Sequence, residues 1–581
     1  MRHRFIVLMN RRSRSDEDPR PAVDEAAMRT LGMSCRQSMH SVRVFASTNT
    51  PIVTIPGRGL IVGDLFTKDG RPVTGTLPTG AASGELENHL LNHYWGEYIA
   101  IELSEDNSPV CRIMRDPSGG VRCVYSFDGE GGFITSDISA AIELGLYRKT
   151  IDWDSISHWL LFSYLRTGRT ALRDLHELLP GCSLSIGVSR TEVRPAWSPW
   201  TFVSNSARTS TPREAIDEVR SAVSLAVGAL AGVEDRIILE LSGGLDSSIV
   251  AACLGSRNSR VRYCNMVVED GGTDERQYAE LMTARLDVDL NIVDVRFGDV
   301  RFDYPTPRWS VIPSIGALQN GINDLWENAA KAHDATSFFS GAGGDTVFCY
   351  LKTAAPAADA LKERGLVTGI NAVRNLSSLH QCTFWKAGRL TLRKLLRRKN
   401  AGWKSDRSFL SASALAISLQ PHPWLPAPPD VLPGDREKIF DLMGNQLFRD
   451  STPRGEGRSM RFPLLSQPVV EACLRVPTWM WIDEGRNRSI ARDAFSDLLP
   501  DRILNRRSKE SHLNYMAAVY TRSKPEIRNI LGCGHLRSQG IVDWEALETF
   551  FESGLVARDM SFLRVIDLCM VENWLRDQLP V

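Results

Sequence analysis

A long apolar run is missing near the start of the sequence, and neither an export signal nor a membrane span is expected there. The apolar stretch near its start, FIVLMN from Phe5 to Asn10, falls short of the ~7–15 residues of a signal core and of the ~20 that cross a bilayer. It reads as a first β-strand. C-x-x-C pairs are missing as well: eleven cysteines, an odd number, lie scattered from Cys35 to Cys569. This excludes a zinc knuckle or a secreted disulfide framework and predicts reduced thiols in a cytoplasm. Charge of one sign is absent, with 69 Lys and Arg against 69 Asp and Glu. No whole-chain field draws the molecule to nucleic acid or membrane, and neither is expected as a partner. There is no internal repeat.

At 581 residues the chain is long enough for two cores. Short apolar segments such as GLIVGDLF, GEYIAIEL and GGFITS, separated by Gly, Pro, Asp and Asn clusters, make residues 1–200 a β-rich domain. It ends at PAWSPW, Pro195 to Trp200, and a polar linker to Pro212 follows. Residues 201–581 then alternate strand and helix. DRIILEL, VRYCNMVV, LNIVDV and TSFFSG read as strands, while SSIVAACL, DERQYAELMTARL and GINDLWENAAKAH read as helices, with Gly255 as a stop. That alternation implies an α/β domain on a parallel sheet, with ligands at the carboxyl ends of its strands. From Lys352 onward the chain reads as mainly helical. It is interrupted by the proline-rich loop Gln420 to Pro433 and marked by the basic run LRKLLRRKNAGWK, Leu392 to Lys404.

One strand-to-helix junction carries chemistry: LELSGGLDSSIVAACL, Leu239 to Leu254. Gly243 and Gly244 let backbone N–H groups approach an anion at a helix start. Ser242, Ser247 and Ser248 offer hydroxyl donors, and Asp246 offers a hard oxygen for magnesium shared with phosphates. The junction is built for Mg-triphosphate. It has no lysine, so it is not a P-loop, which needs one on the β/γ-phosphates.

The SGG-x-DS pattern resembles the loop of N-type ATP-pyrophosphate synthetases, which split ATP between its α and β phosphates to adenylate an acyl group. FFSGAGGDTVFCY, Phe338 to Tyr350, resembles the second loop of asparagine-synthetase-like enzymes. The resemblance implies ATP and Mg²⁺ as cofactors. It puts Ser242, Gly243, Gly244, Asp246 and Ser247 on the nucleotide's phosphates, Ser340 and Gly341 near its ribose and α-phosphate, and Asp246 with Asp345 on magnesium. RNRSIARDAFSDLLPDRILNRRSKESHLNY, Arg486 to Tyr515, resembles the family's closing segment, which implies Lys509 as the catalytic ammonium that stabilises the acyl-transfer oxyanion.

WGEYIAIEL and RDPSG, Arg115 to Gly119, are similar to the N-terminal-nucleophile glutaminase domain of asparagine synthetase B. Position 2 is Arg2 where that glutaminase needs cysteine, and Trp95 stands where its pocket has asparagine. A degenerate domain that releases no ammonia is the expectation. RFPLLSQPVVEACL, Arg461 to Leu474, resembles a segment of lasso peptide cyclases of the same family, and Ala342 replaces the tyrosine of the β-lactam-forming members. These resemblances imply adenylation of an Asp or Glu side chain in a linear core peptide, followed by attack of that peptide's N-terminal amine. They also imply a leader-binding element and a leader peptidase as partners. Two alternatives stay open: an ammonia-dependent asparagine synthetase, and a non-catalytic ATP-binding scaffold.

Overall fold

The structure, a computed structural model, describes the chain except residues 1–2, 11–24, 40, 79–85, 104–110, 129, 164, 188–189, 256–259, 269–274, 314–317, 397–401, 451–453, 455–456, 508–512, 556–558 and 580–581.

Among the described residues the first part of the chain forms two facing sheets. One runs in the spatial order His176–Glu177, Val124–Phe127, Gly131–Thr135, Phe5–Asn10, Val42–Ser47, Met33–Met39, antiparallel throughout. The other runs Thr191–Pro195, Cys182–Ile186, Cys111–Arg115, Tyr94–Leu103, Gly59–Thr67, Ile52–Ile55, Gly75–Thr76, antiparallel except for its last pair.

Strand Phe5–Asn10 shows why FIVLM is apolar without a break. Phe5, Val7 and Met9 pack between the sheets with Leu60, Val62, Ile99 and Ile101. Ile6 and Leu8 point the other way, into a core shared with Phe45, Phe133 and residues of the helix Ser561–Gln578, such as Val565 and Trp574. A strand buried on both faces needs no polar alternation. The same contacts join the end of the chain to its beginning.

The second part is built on a parallel sheet ordered Leu290–Val295, Val261–Val268, Ile237–Glu240, Ser337–Ser340, Ser459–Arg461. The first four strands are those the alternating pattern predicts. The fifth, three residues long, is added from far along the chain. Helix Pro212–Gly232 begins on a Thr211 cap, whose hydroxyl accepts from the Glu214 N–H at 3.3 Å, with Pro212 in its first turn. It buries Val219, Val223, Val227 and Leu230 in the core that backs the sheet. Ile237–Glu240 and Ser337–Ser340 are hydrogen-bonded neighbours, with Glu240 opposite Ser340. Both glycine-rich loops therefore leave adjacent strand ends side by side. No helix among the described residues is long and apolar enough to cross a membrane.

Candidate active site

After Glu240 the chain turns through Ser242, Gly243 and Gly244 into the helix Leu245–Leu254. Gly243 has φ +71, a left-handed value that favours glycine, and a Cβ there would stand 2.6 Å from Tyr278 Cβ. No side chain caps this helix, so its first N–H groups stay available to an anion. The serines pre-arrange the turn. Ser242 Oγ lies 3.1 Å from Ser247 Oγ and accepts from the Gly244 N–H at 3.4 Å, while Ser247 Oγ donates to the Gly244 carbonyl at 3.2 Å. Ser242 is exposed and Ser247 buried. Ser248 is buried too, and its hydroxyl has no hydrogen-bond partner among the described residues.

The second loop is pressed onto the first through glycines. A Cβ on Gly341 would lie 2.5 Å from the Ser247 nitrogen, and one on Gly344 would run into the Asp246 side chain. Ser340 Oγ accepts from the Ala342 N–H at 3.3 Å, which shapes the turn before the short helix Gly344–Val347. Asp345 sits in that helix with its side chain 51% exposed, against 14% for Asp246.

The two carboxylates meet at a single cationic atom. Arg488 Nη1 donates to Asp246 Oδ1 and Oδ2 at 3.1 Å each and to Asp345 Oδ1 at 2.7 Å. Arg488 has φ +54, and its guanidinium lies over the Tyr350 ring, 5.1 Å from the centroid. The acids thus converge where a cation is held, and the guanidinium is a stand-in for one. Among the described residues no group of three or more His, Cys, Asp or Glu forms a metal cage. Two carboxylates fit a magnesium ion that takes its remaining oxygens from water and nucleotide phosphates. Asp246 and Asp345 would hold that ion, and its chemistry would be to neutralise charge on the phosphates.

Lys509 lies outside the described residues. The segment leading to it is anchored beside the phosphate loop: Arg506 pairs with Glu275 and lies over the Tyr278 ring at 4.1 Å, and Tyr278 is the residue that Gly243 abuts.

A second acidic cluster lies where the glutamine pocket was expected. Trp95 is buried and stacks on Phe66 at 4.8 Å. Glu97 and Asp64, on neighbouring strands, face Arg461 from the end of the parallel sheet's fifth strand. Arg461 also binds Glu234 at 2.7 Å, Arg449 reaches Glu97 at 3.2 Å, and His3 Nε2 lies 3.1 Å from Asp64. Burial pushes the Glu97 carboxyl up, but the Arg461 and Arg449 guanidiniums outweigh it and hold Glu97 below its ordinary range. Neighbouring Asp116 is pushed up to about 7, by burial first and by Glu97 second.

Sequence reading missed Arg488 and the partners of Arg461. Both arginines stand in segments whose pattern resembles the family's, RNRSIARDAF and RFPLLSQ. A positive φ and contacts across 242 and 364 positions leave no local mark.

A family model described as asparagine synthase matches residues 218–576. No curated protein matches the chain. Among solved structures, a glutamine phosphoribosylpyrophosphate amidotransferase from B. subtilis, complexed with ADP and GMP, is similar at 9% identity over 50% of this chain and 65% of that one, with a TM-score of 0.21. An allosteric regulatory enzyme of purine biosynthesis is similar at 8% identity over 50% of this chain and 59% of its own, with a TM-score of 0.20. The chain spans less than two thirds of either.

Proposed function

The chain belongs to the asparagine synthase family, whose members form carbon–nitrogen bonds with ATP, and from that premise we propose that it closes a macrolactam ring in a linear peptide. A side-chain carboxylate of Asp or Glu attacks the α-phosphorus of ATP, the α–β bridging bond breaks, and pyrophosphate leaves. The peptide's own N-terminal amine then attacks the acyl carbon. AMP departs with the C–O electron pair, and the amine sheds a proton.

The observation that carries this reading is the meeting of Asp246 and Asp345 on one cationic nitrogen beside an uncapped helix start. The filled glutamine pocket directs the choice of amine. Trp95 is buried against Phe66 and Glu97 is paired with two arginines, which supports a domain that does not bind glutamine to supply ammonia. An amine already tethered to the acyl group needs no such supply, and tethering can be worth effective molarities of up to ~10⁵–10⁸ M. An α-amine with a pKa near 8 is already partly neutral at pH 7, so a strong base is unnecessary. Ser242, Ser247 and the N–H groups after Gly244 orient the phosphates, Ser340 and Gly341 border the nucleotide, and Lys509 stabilises the acyl-transfer oxyanion.

A leader-binding element and a leader peptidase would deliver the peptide. The eleven thiols are all free, which suits a cytoplasmic site of action.

Mass spectrometry of a linear precursor peptide incubated with the chain, ATP and magnesium tests the proposal. Loss of one water, with AMP and pyrophosphate released in equal amounts, is expected, and Lys509→Ala should abolish it. Asparagine formed from aspartate and ammonium would favour the ammonia-dependent alternative. Release of ADP and orthophosphate would overturn both.

A further inference from the structure

Between Glu363 and Asp406 the sequence has no acidic residue and ten lysines and arginines, in a chain whose charges sum to zero. Most of this segment is a helical hairpin, Leu366–Leu379 followed by Phe384–Leu396. Its inner face is built from small residues, with Ala372, Val373, Leu376 and Ala387 packed against Ala357 and Ala360.

Its outer face is apolar as well. Trp385 is 83% exposed, Leu396 75% and Leu392 55%, and at the facing end of the hairpin Leu366 and Val367 are exposed to a similar degree. Positions 385, 392 and 396 fall within about 40° of one another at 100° per residue, so they form one stripe. Arg389, Arg393 and Lys386 border that stripe on one side. No carboxylate among the described residues pairs with them, whereas Lys394, on another face, is taken by Glu437. An apolar stripe of this kind on a monomer marks an interaction site. Its one-sided basic border is the complement of a helix-sized acidic ligand.

The hairpin is also joined to the active site. Asn375 Nδ2 donates to the Ile482 carbonyl at 3.2 Å, and Gly485 turns against Ser378. Ile482–Asp483 and Arg486–Asn487 form the small β-hairpin that leads directly into Arg488.

We propose that the outer face of the helices Leu366–Leu379 and Phe384–Leu396 docks an acidic polypeptide segment whose apolar side chains line one face of a helix. Trp385, Leu392 and Leu396 take the apolar side chains, and Arg389, Arg393 and Lys386 take the carboxylates. The surface stands independently of the ring-closing reading, because its test measures binding without turnover.

The probe is a fluorescein-labelled peptide of glutamate and leucine, ~18 residues or five helical turns long, with leucines at helical spacing. Its partner is a shuffled peptide of the same composition. Fluorescence anisotropy against the full chain should show saturable binding that weakens as salt rises, and the shuffled peptide should bind about tenfold more weakly or worse. Trp385→Ser and the pair Arg389→Glu with Arg393→Glu should each lower affinity by about tenfold or more, with circular dichroism and binding of a fluorescent ATP analogue unchanged. Equal affinity for the variants, or for the shuffled peptide, would overturn the proposal. So would sedimentation of the chain with phosphatidylglycerol vesicles in the absence of peptide binding, which would assign the surface to a membrane.

Discussion

Two acidic clusters of this molecule are each gathered by an arginine from the second half of the chain, and they differ in their access to water. Around Arg461 everything is sealed: its side chain is 1% exposed, and those of Asp64, Glu97 and Glu234 no more than 4%. Burial alone would push that guanidinium down, but Asp64, Glu234 and Glu97 outweigh it and hold it well above its ordinary value. Around Arg488 the cluster opens outward through Asp345, and one guanidinium nitrogen engages both acids, while its Nε finds no partner among the described residues. Charges without water cannot change partners, because each would be left bare in a low-dielectric interior. Charges at a wet mouth can trade an arginine for a metal ion and phosphates. The first cluster fastens the two halves of the chain together, and the second keeps a carboxylate open to solvent.

The largest effect should come from the open cluster. Asp246→Asn should lower pyrophosphate release by about 10²–10³-fold, the scale of losing one charge-stabilising group, with the urea midpoint unmoved. Normal turnover would place the metal elsewhere. In the sealed cluster the consequences reverse. Arg461→Ala takes from Asp64, Glu97 and Glu234 the guanidinium they share and should destabilise the fold by ~3–5 kcal/mol in urea titrations.

A finer test uses pH. Asp116, with a folded value of about 7 against an ordinary 3.8, binds its proton more tightly in the folded chain than in the unfolded one. Its contribution therefore favours the fold at low pH and is lost as pH rises from about 4 to 7. Asp116→Asn should flatten that part of the stability profile, and an unchanged slope would mean that other groups set it. The smallest effect concerns Arg488. Arg488→Gln removes the competitor at the two acids and should tighten magnesium binding without nucleotide by about fivefold in calorimetry, on the scale of one partly exposed ion pair of ~1 kcal/mol.

Short-range pattern made much of this legible. The phosphate loop, its strand and helix, the Gly255 stop at φ +69 and the run of four parallel strands all rest on neighbours in sequence. Helix Pro212–Gly232 is signalled by Thr211, Pro212 and Glu214, but these follow directly on a polar, linker-like run that masks the start of the helix. Strand Ser459–Arg461 could not be read, since three residues carry no period and its partner Ser337–Ser340 lies more than a hundred positions away. Trp95 could be flagged as too large for a glutamine pocket, but the Asp64, Glu97, Arg461 and Glu234 assembly behind it depends on four distant segments arriving together. Arg488 belongs to the same class: composition announces an arginine, and only the folded chain says which acids it meets.

The meshing of Gly341 and Gly344 against Ser247 and Asp246 leaves the two loops no slack between them. Like cogs without backlash, the two loops fit only in register, so on the proposed reading one acid is not placed for a nucleotide without the other. Any side chain larger than hydrogen at either glycine would jam the pair, and if the proposed function holds, the fault would show first in nucleotide binding, before the fold itself gave way.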